Sequence, residues 1–197
     1  EVELWRIGDS LAAPKFNIVS KPNDWSRSVG EAARRIEADT LTETKALQLQ
    51  FWTELRDALA SHRFLRPQKP QPQHWAVFAI GRAGFHIGAI LNTRGNEVGV
   101  ELYISGSDAK AYFNLLRKDQ VEIEQSLGFS LDWRELPHRR DCRIFRTWEA
   151  VDPLDQNRWP EYRQWMIATM EAFHNTFRER IRQLDAADYN PDTSGAA

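Results

Sequence analysis

The sequence predicts an α+β fold: a mainly antiparallel sheet of about five strands with helices packed on one face, in the order α-βββ-α-ββ-α. Three observations carry this reading. Residues 74–104 hold three apolar stretches of period two, separated by short turns rich in Gly and Asn, which is the signature of antiparallel hairpins. Segments with apolar residues at helical spacing flank them on both sides. With 197 residues, 42% of them hydrophobic, the chain can bury a substantial core.

Taken in order, Glu1 to Ile7 alternates and reads as a strand, broken by Gly8-Asp9-Ser10. Leu11 to Asn23 carries two prolines and no helical period. A strand needs a partner ladder, so residues 1–20 are expected to be the tail of a preceding domain; the alternative is that this strand pairs with the sheet further along. Asn23 or Asp24 can cap an amphipathic stretch from Trp25 to about Ala38, making residues 21–41 a helical linker. Thr40 or Thr42 opens a stronger helix to about Ser61, with Leu41, Gln48, Phe51, Trp52, Leu55 and Leu59 on one stripe. Here the main domain begins, over residues 42–184. Arg66 to Gln73 contains three prolines and cannot continue a helix; it is a stiff spacer or a proline-rich ligand for a partner.

The strands that follow are Trp75–Ile80, Phe85–Leu91 and Glu97–Ile104. Four-residue turns pair Ile80 with Phe85 and Asn92 with Glu97, which gathers Phe78, Ile87, Leu91, Val98, Val100 and Leu102 on one apolar face. The other face carries Trp75, His86, Gly88, Gly99, Glu101 and Tyr103, with His86 opposite Tyr103 and Glu101 opposite Gly88. Ser107 with Asp108 then caps a single helix ending at Gly128. Phe129 to Trp133 and Cys142–Trp148 form a hairpin, and Trp159-Pro160 starts a last helix reaching Leu184. Residues 185–197 are small, polar and expected to be a disordered tail.

Composition narrows the function classes. The net charge of −2 does not advertise nucleic acid for the chain as a whole, and the single cysteine, Cys142, excludes an internal disulfide. No apolar run approaches the roughly 20 residues of a membrane span, so a soluble cytoplasmic protein is expected. Eight tryptophans, and 20 arginines against 6 lysines, are the unusual features. The five histidines have no partner at metal-ligand spacing, and neither a phosphate-gripping loop nor a nucleophile elbow is present. Glu43-Thr44-Lys45 and Asp108-Ala109-Lys110 have the acid-X-Lys form of many nucleases but sit at helix starts, where an acid serves the helix dipole. No catalytic residue, metal ligand or cofactor is therefore assigned.

Two groups remain as candidate binding sites. The first is the platform of Trp75, His86, Glu101 and Tyr103, with Arg82 and Arg94 in the flanking turns. It is a ligand platform, or a half-buried sheet face whose polar groups satisfy one another. The second is the hairpin cluster Arg134, Arg139, Arg140, Arg143 and Arg146 around His138, interleaved with Trp133, Phe145 and Trp148. Arginine forks with stacking rings suit nucleic acid, and charge on an edge hairpin also blocks aggregation.

The run Lys69-Pro70-Gln71-Pro72-Gln73-His74-Trp75, then Ile80–His86, Asn92-Thr93-Arg94, Gly99–Ile104, Ser107–Lys110, Leu127-Gly128-Phe129, Asp152-Pro153 and Trp159-Pro160 resembles a prokaryotic domain of unknown function over roughly residues 42–184. Trp5–Ser10, Ala13–Asn17 and Lys21–Trp25 look like the junction of longer relatives, in which a restriction-endonuclease-like module of the PD-(D/E)XK type precedes this domain. The resemblance implies a bacterial, cytoplasmic protein tied to nuclease or DNA defence and repair chemistry, and brings no catalytic residues. Three functions stay open. One is a non-catalytic accessory module contacting nucleic acid, DNA foremost, through the arginine hairpin. Another is a protein-interaction or homodimerisation module using the Trp/Tyr/His face. The last is a small-molecule sensor.

Overall fold

A computed structural model describes residues 2–5, 13–16 and 43–190, and the chain divides into two compact units between Glu43 and Thr44. In the first unit, β1 (Val2–Trp5) pairs antiparallel with β2 (Ala13–Phe16), Val2 opposite Phe16 and Trp5 opposite Ala13. The strand expected at the start of the chain is present, and its partner is local rather than the distant sheet. Pro14 fits there because each strand of a two-stranded ladder keeps one open edge, where a missing N–H costs nothing. The helical linker expected over 21–41 lies outside the described residues.

The second unit opens with α1, helical over 43–58, which buries Gln48, Phe51, Trp52, Leu55 and the following Leu59. The indole N–H of Trp52 donates to the Gln73 carbonyl at 2.6 Å, pinning the far end of the proline connector, which has neither helix nor strand. Five strands follow: β3 (Trp75–Ala79), β4 (Phe85–Asn92), β5 (Glu97–Ile104), β6 (Asp132–Arg134) and β7 (Cys142–Trp148). They form one antiparallel sheet in the order β3-β4-β5-β7-β6. The predicted register holds: Asn92 faces Glu97, His86 faces Tyr103 and Gly88 faces Glu101. The turn lengths set it, since a slip of one residue would turn the apolar set towards water.

Between β5 and β6 the expected single helix is two, α2 (Ala109–Lys118) and α3 (Gln120–Leu127). Asp119 breaks the ladder with φ −95° and ψ 14°, its N–H turning back to Leu116 and Arg117, while its carboxylate accepts from Arg180 at 3.4 Å. Burial of Leu116 and Ile123 on both sides of the break keeps the apolar spacing intact, which is why periodicity alone reads as one helix. Asp108 is the N-cap residue of α2 but its side chain makes no capping bond; Gly128 ends α3 at φ 78°, as its position suggests.

The last helix, α4 (Trp159–Gln183), follows a 3-10 turn at Gln156–Arg158 whose Asp155 side chain accepts from the Asn157 N–H. It lays Tyr162, Met166, Phe173, Phe177 and Ile181 against β4 and β5, while α2 packs on β5 and β7. A further 3-10 turn, Ala186–Asp188, lies in the stretch expected to be a tail; residues 191–197 lie outside the described residues. Among the described residues no helix is long and apolar enough to cross a membrane. The core therefore sits between the helices and one face of the sheet, where Phe78, Ile87, Val100, Leu102 and Ile144 are fully buried. Among the described residues no helix packs on the other face.

Candidate functional site

That second face joins the two candidate sites into one. Pairing of β7 with β5 sets Arg143 opposite Tyr103 and Phe145 opposite Glu101, and β6 sets Arg134 opposite Arg143. Side chains alternate along a strand, so Arg134, Arg143 and Phe145 continue the face that carries His86, Glu101 and Tyr103. Together with Trp75, Val77 and Ile90 they line an open groove of about 680 Å³.

The groove is aromatic, with its arginines held close. His86 and Tyr103 stack with centroids 4.6 Å apart at 23°. The Arg143 guanidinium lies over Tyr103 at 5.1 Å, and that of Arg134 lies over Phe145 at 4.7 Å. Arg143 also reaches Glu101 Oε2 at 3.5 Å and Asp141 at 3.4 Å, while Arg134 pairs with Asp132 at 2.5 Å. Trp75 is 42% exposed on the edge strand. At one end, Asn92 Nδ2 donates to Glu97 Oε1 at 2.6 Å.

Glu101 is the unusual member. It is only 6% exposed, and its Oε2 accepts no hydrogen bond among the described residues. Gly88 makes room for it: a Cβ there would stand 2.9 Å from both Glu101 Cγ and Oε1. Burial pushes the Glu101 carboxyl above its ordinary value, against the pull of Arg143. Burial, helped by Arg143, lowers His86 below 6.5, so its imidazole is neutral at pH 7. Tyr103 is raised, first by burial and then by the Asp141 carboxylate.

The remaining predicted residues go elsewhere. Arg139 and Arg140 are exposed in the β6–β7 turn and make no ion pair among the described residues. Arg146 has the opposite parity to Arg143: it lies on the helix side, over Phe129 at 4.7 Å. Trp133 and Trp148 share that parity. The Trp133 indole N–H donates to Glu124 at 2.8 Å, and Trp148 packs edge-on against Tyr162 at 5.7 Å, so of the three interleaved rings only Phe145 belongs to the groove.

Arg82 serves the fold. It donates to the carbonyls of Ile181 and, at 2.8 Å, Leu184, and to the Tyr112 hydroxyl at 3.0 Å, closing the end of α4. Arg94 is exposed in the β4–β5 turn and does not line the groove.

Asp141, an acid within the arginine hairpin, and Asp132, which the spacing does not single out, hold the two groove arginines, and Lys110 has a structural role. Its ammonium donates to the carbonyls of Glu135 and, at 2.8 Å, Leu136, fixing the β6–β7 turn. The acid-X-Lys tripeptide at 108–110 is thus a loop anchor. Period-two counting from Arg143 would have separated Phe145 from Trp148, whereas the side taken by Trp133 follows from its pairing with Ile144. Cys142 is buried, its thiol raised by burial and donating to the Glu135 carbonyl at 3.2 Å, so it is poorly reactive. Among the described residues no group of three or more His, Cys, Asp or Glu is arranged to hold a metal ion.

The second unit is thus an α+β domain whose antiparallel sheet is backed by helices and whose opposite face bears an aromatic, arginine-lined groove. The model of a family described as a domain of unknown function, DUF4268, matches residues 47–181, and the chain belongs to that family. Neither the curated proteins nor the solved structures gave a match.

Proposed function

We propose that the open sheet face binds single-stranded nucleic acid, DNA foremost, as the non-catalytic accessory module of a bacterial nuclease-like protein. The observation that carries this reading is the merging of the stacked His86 and Tyr103, the edge Trp75 and the hairpin's Arg134, Arg143 and Phe145 on one face. Every base has a π face, so rings and guanidinium planes on a sheet can hold a strand with little regard to sequence. Arg139 and Arg140, exposed in the turn beside the groove's Arg134 and Arg143, are free to meet phosphates.

The ion pairs set the expected strength. Arg134 and Arg143 already have carboxylate partners, which leaves Arg139 and Arg140 to release counterions. Two phosphate contacts on a single strand give a log–log salt slope of about −1.4, or roughly tenfold weaker binding between about 50 and 300 mM salt. Fluorescence anisotropy with a labelled thymidine decamer tests this. Affinity unchanged by salt, or a slope undiminished by Arg139→Ala with Arg140→Ala, would sink it. The nuclease context rests on the likeness of residues 5–25 to a junction, and an acidic pair followed by acid-X-Lys in the coding sequence upstream of Glu1 would support it.

The 42% exposure of Trp75 on an edge strand favours a second reading, a protein interface or homodimer through the same face. It predicts a dimer in sedimentation that Tyr103→Arg dissociates, and a clean monomer at high concentration counts against self-association.

A further inference from the structure

We propose that Glu101, working with Arg143, reads the Watson–Crick edge of a guanine base in this groove; the inference rests on the reading above that the groove takes unstacked bases. Three independent features point to it. The first is the carboxyl itself, 6% exposed in the lining of the groove, whose Oε2 accepts no hydrogen bond among the described residues and has only the 3.5 Å ion-pair contact with Arg143. A buried acceptor left unpaired is costly, and a ligand donor removes that cost. The second is Gly88, directly opposite in the ladder, where any Cβ would strike Glu101 Cγ and Oε1 at 2.9 Å; the backbone is cut away where the carboxyl lies. The third is the flanking chemistry: Tyr103 stacked on His86 on one side, Phe145 across the ladder on the other, and the Arg143 guanidinium 3.5 Å from Oε2.

The order of donors and acceptors selects the base. Glu101 offers two acceptor oxygens and Arg143 offers donors beside them. Guanine presents the complement along one edge: the N1–H and N2–H donors side by side, then the O6 acceptor. Thymine sets one N–H between two carbonyls, and adenine and cytosine each set a ring-nitrogen acceptor beside their amino group. In all three, an acceptor meets a carboxylate oxygen. The rings provide stacking for any base, whereas the carboxylate–guanidinium pair distinguishes one, and a good bidentate pair discriminates by about tenfold or more. The same chemistry would hold a guanine in a strand or in a free nucleotide.

The test uses the full chain, thymidine decamers with a central dG, dA, dC or dT, and GMP as the free nucleotide, read by anisotropy and competition. The dG decamer is expected to bind about tenfold tighter than the other three. Glu101→Gln, which keeps shape and removes one acceptor, is expected to abolish the preference while leaving affinity for the all-thymidine decamer in place. Gly88→Ala, which displaces the carboxyl without touching its chemistry, is expected to do the same. Equal affinity for the four centres, or a preference that survives Glu101→Gln, overturns the inference while leaving strand binding standing. If no decamer binds, the strand reading fails instead. GMP binding that Glu101→Gln removes would then uphold guanine recognition with a free nucleotide as ligand, and absence of GMP binding too would overturn it.

Discussion

The two faces of the five-stranded sheet share one backbone ladder and differ in almost everything else. On the helix side Ile87, Val100, Leu102 and Ile144 are fully buried and belong to one apolar core cluster. On the open side the alternate residues of the same strands are His86, Glu101, Tyr103 and Arg143, partly exposed or buried without full satisfaction. Burial drives the first set, at about 25 cal/mol per Å² of apolar surface removed from water. The second set contributes little to that sum and is free to carry chemistry. The lesson is one of parity: one residue in two makes the fold, and its neighbour is available for a ligand.

Substitutions on the two faces should separate stability from binding. The largest effect belongs to the covered face. Leu102→Ala, at a fully buried position beneath the helices, should lower unfolding free energy by about 2–5 kcal/mol in a urea titration. Next is the joint between the sheet and α4. Arg82→Ala removes the donor that satisfies the Ile181 and Leu184 carbonyls and should cost about 1–3 kcal/mol without altering oligonucleotide affinity. Tyr103→Ala reverses that pattern. It should weaken decamer binding by about 1–3 kcal/mol, the worth of one base stack, while shifting stability by less than about 1 kcal/mol. A stability loss on the scale of Leu102→Ala would mean that the open face is part of the core after all.

The smallest effect is a pH dependence. Glu101 binds its proton more tightly in the folded chain than in the unfolded one, because burial raises its carboxyl above 4.5. Its contribution to stability is therefore fully present below pH 4.5 and lost as pH rises through the folded value. Arg143 and Arg134 oppose the shift and Asp141 reinforces it. The Glu101→Gln protein should accordingly melt higher than the native chain at pH 7, with the gap closing towards pH 4.5; a lower melting temperature at pH 7 would contradict this sign.

How far this contrast was legible depended on how local each interaction is. The register of β3, β4 and β5 could be read because Gly81–Gly84 and Asn92–Asn96 fix loop lengths, and one pairing alone keeps the apolar set together. The joining of β7 to β5 could not, because α2, α3 and β6 intervene and no nearby residue selects the edge that β7 takes. That one pairing turns an arginine hairpin and an aromatic platform into a single groove. Arg82 was misplaced for a similar reason, since its partner carbonyl at Ile181 lies 99 residues away. Arg146 was misplaced through neglect of alternation rather than distance. The break at Asp119 is invisible to periodicity because the buried Leu116 and Ile123 still fall seven residues apart, two turns of helix.

If the open sheet face is where a single strand binds, a two-dimensional 1H–15N NMR titration of the chain with a thymidine decamer will map the contact to that face. Shifts are expected at the amides of His86, Gly88, Tyr103, Arg143 and Phe145 and in the Arg139–Arg140 turn, with α4 unmoved. Shifts centred on α4 or α1, or none at saturating decamer, would contradict it.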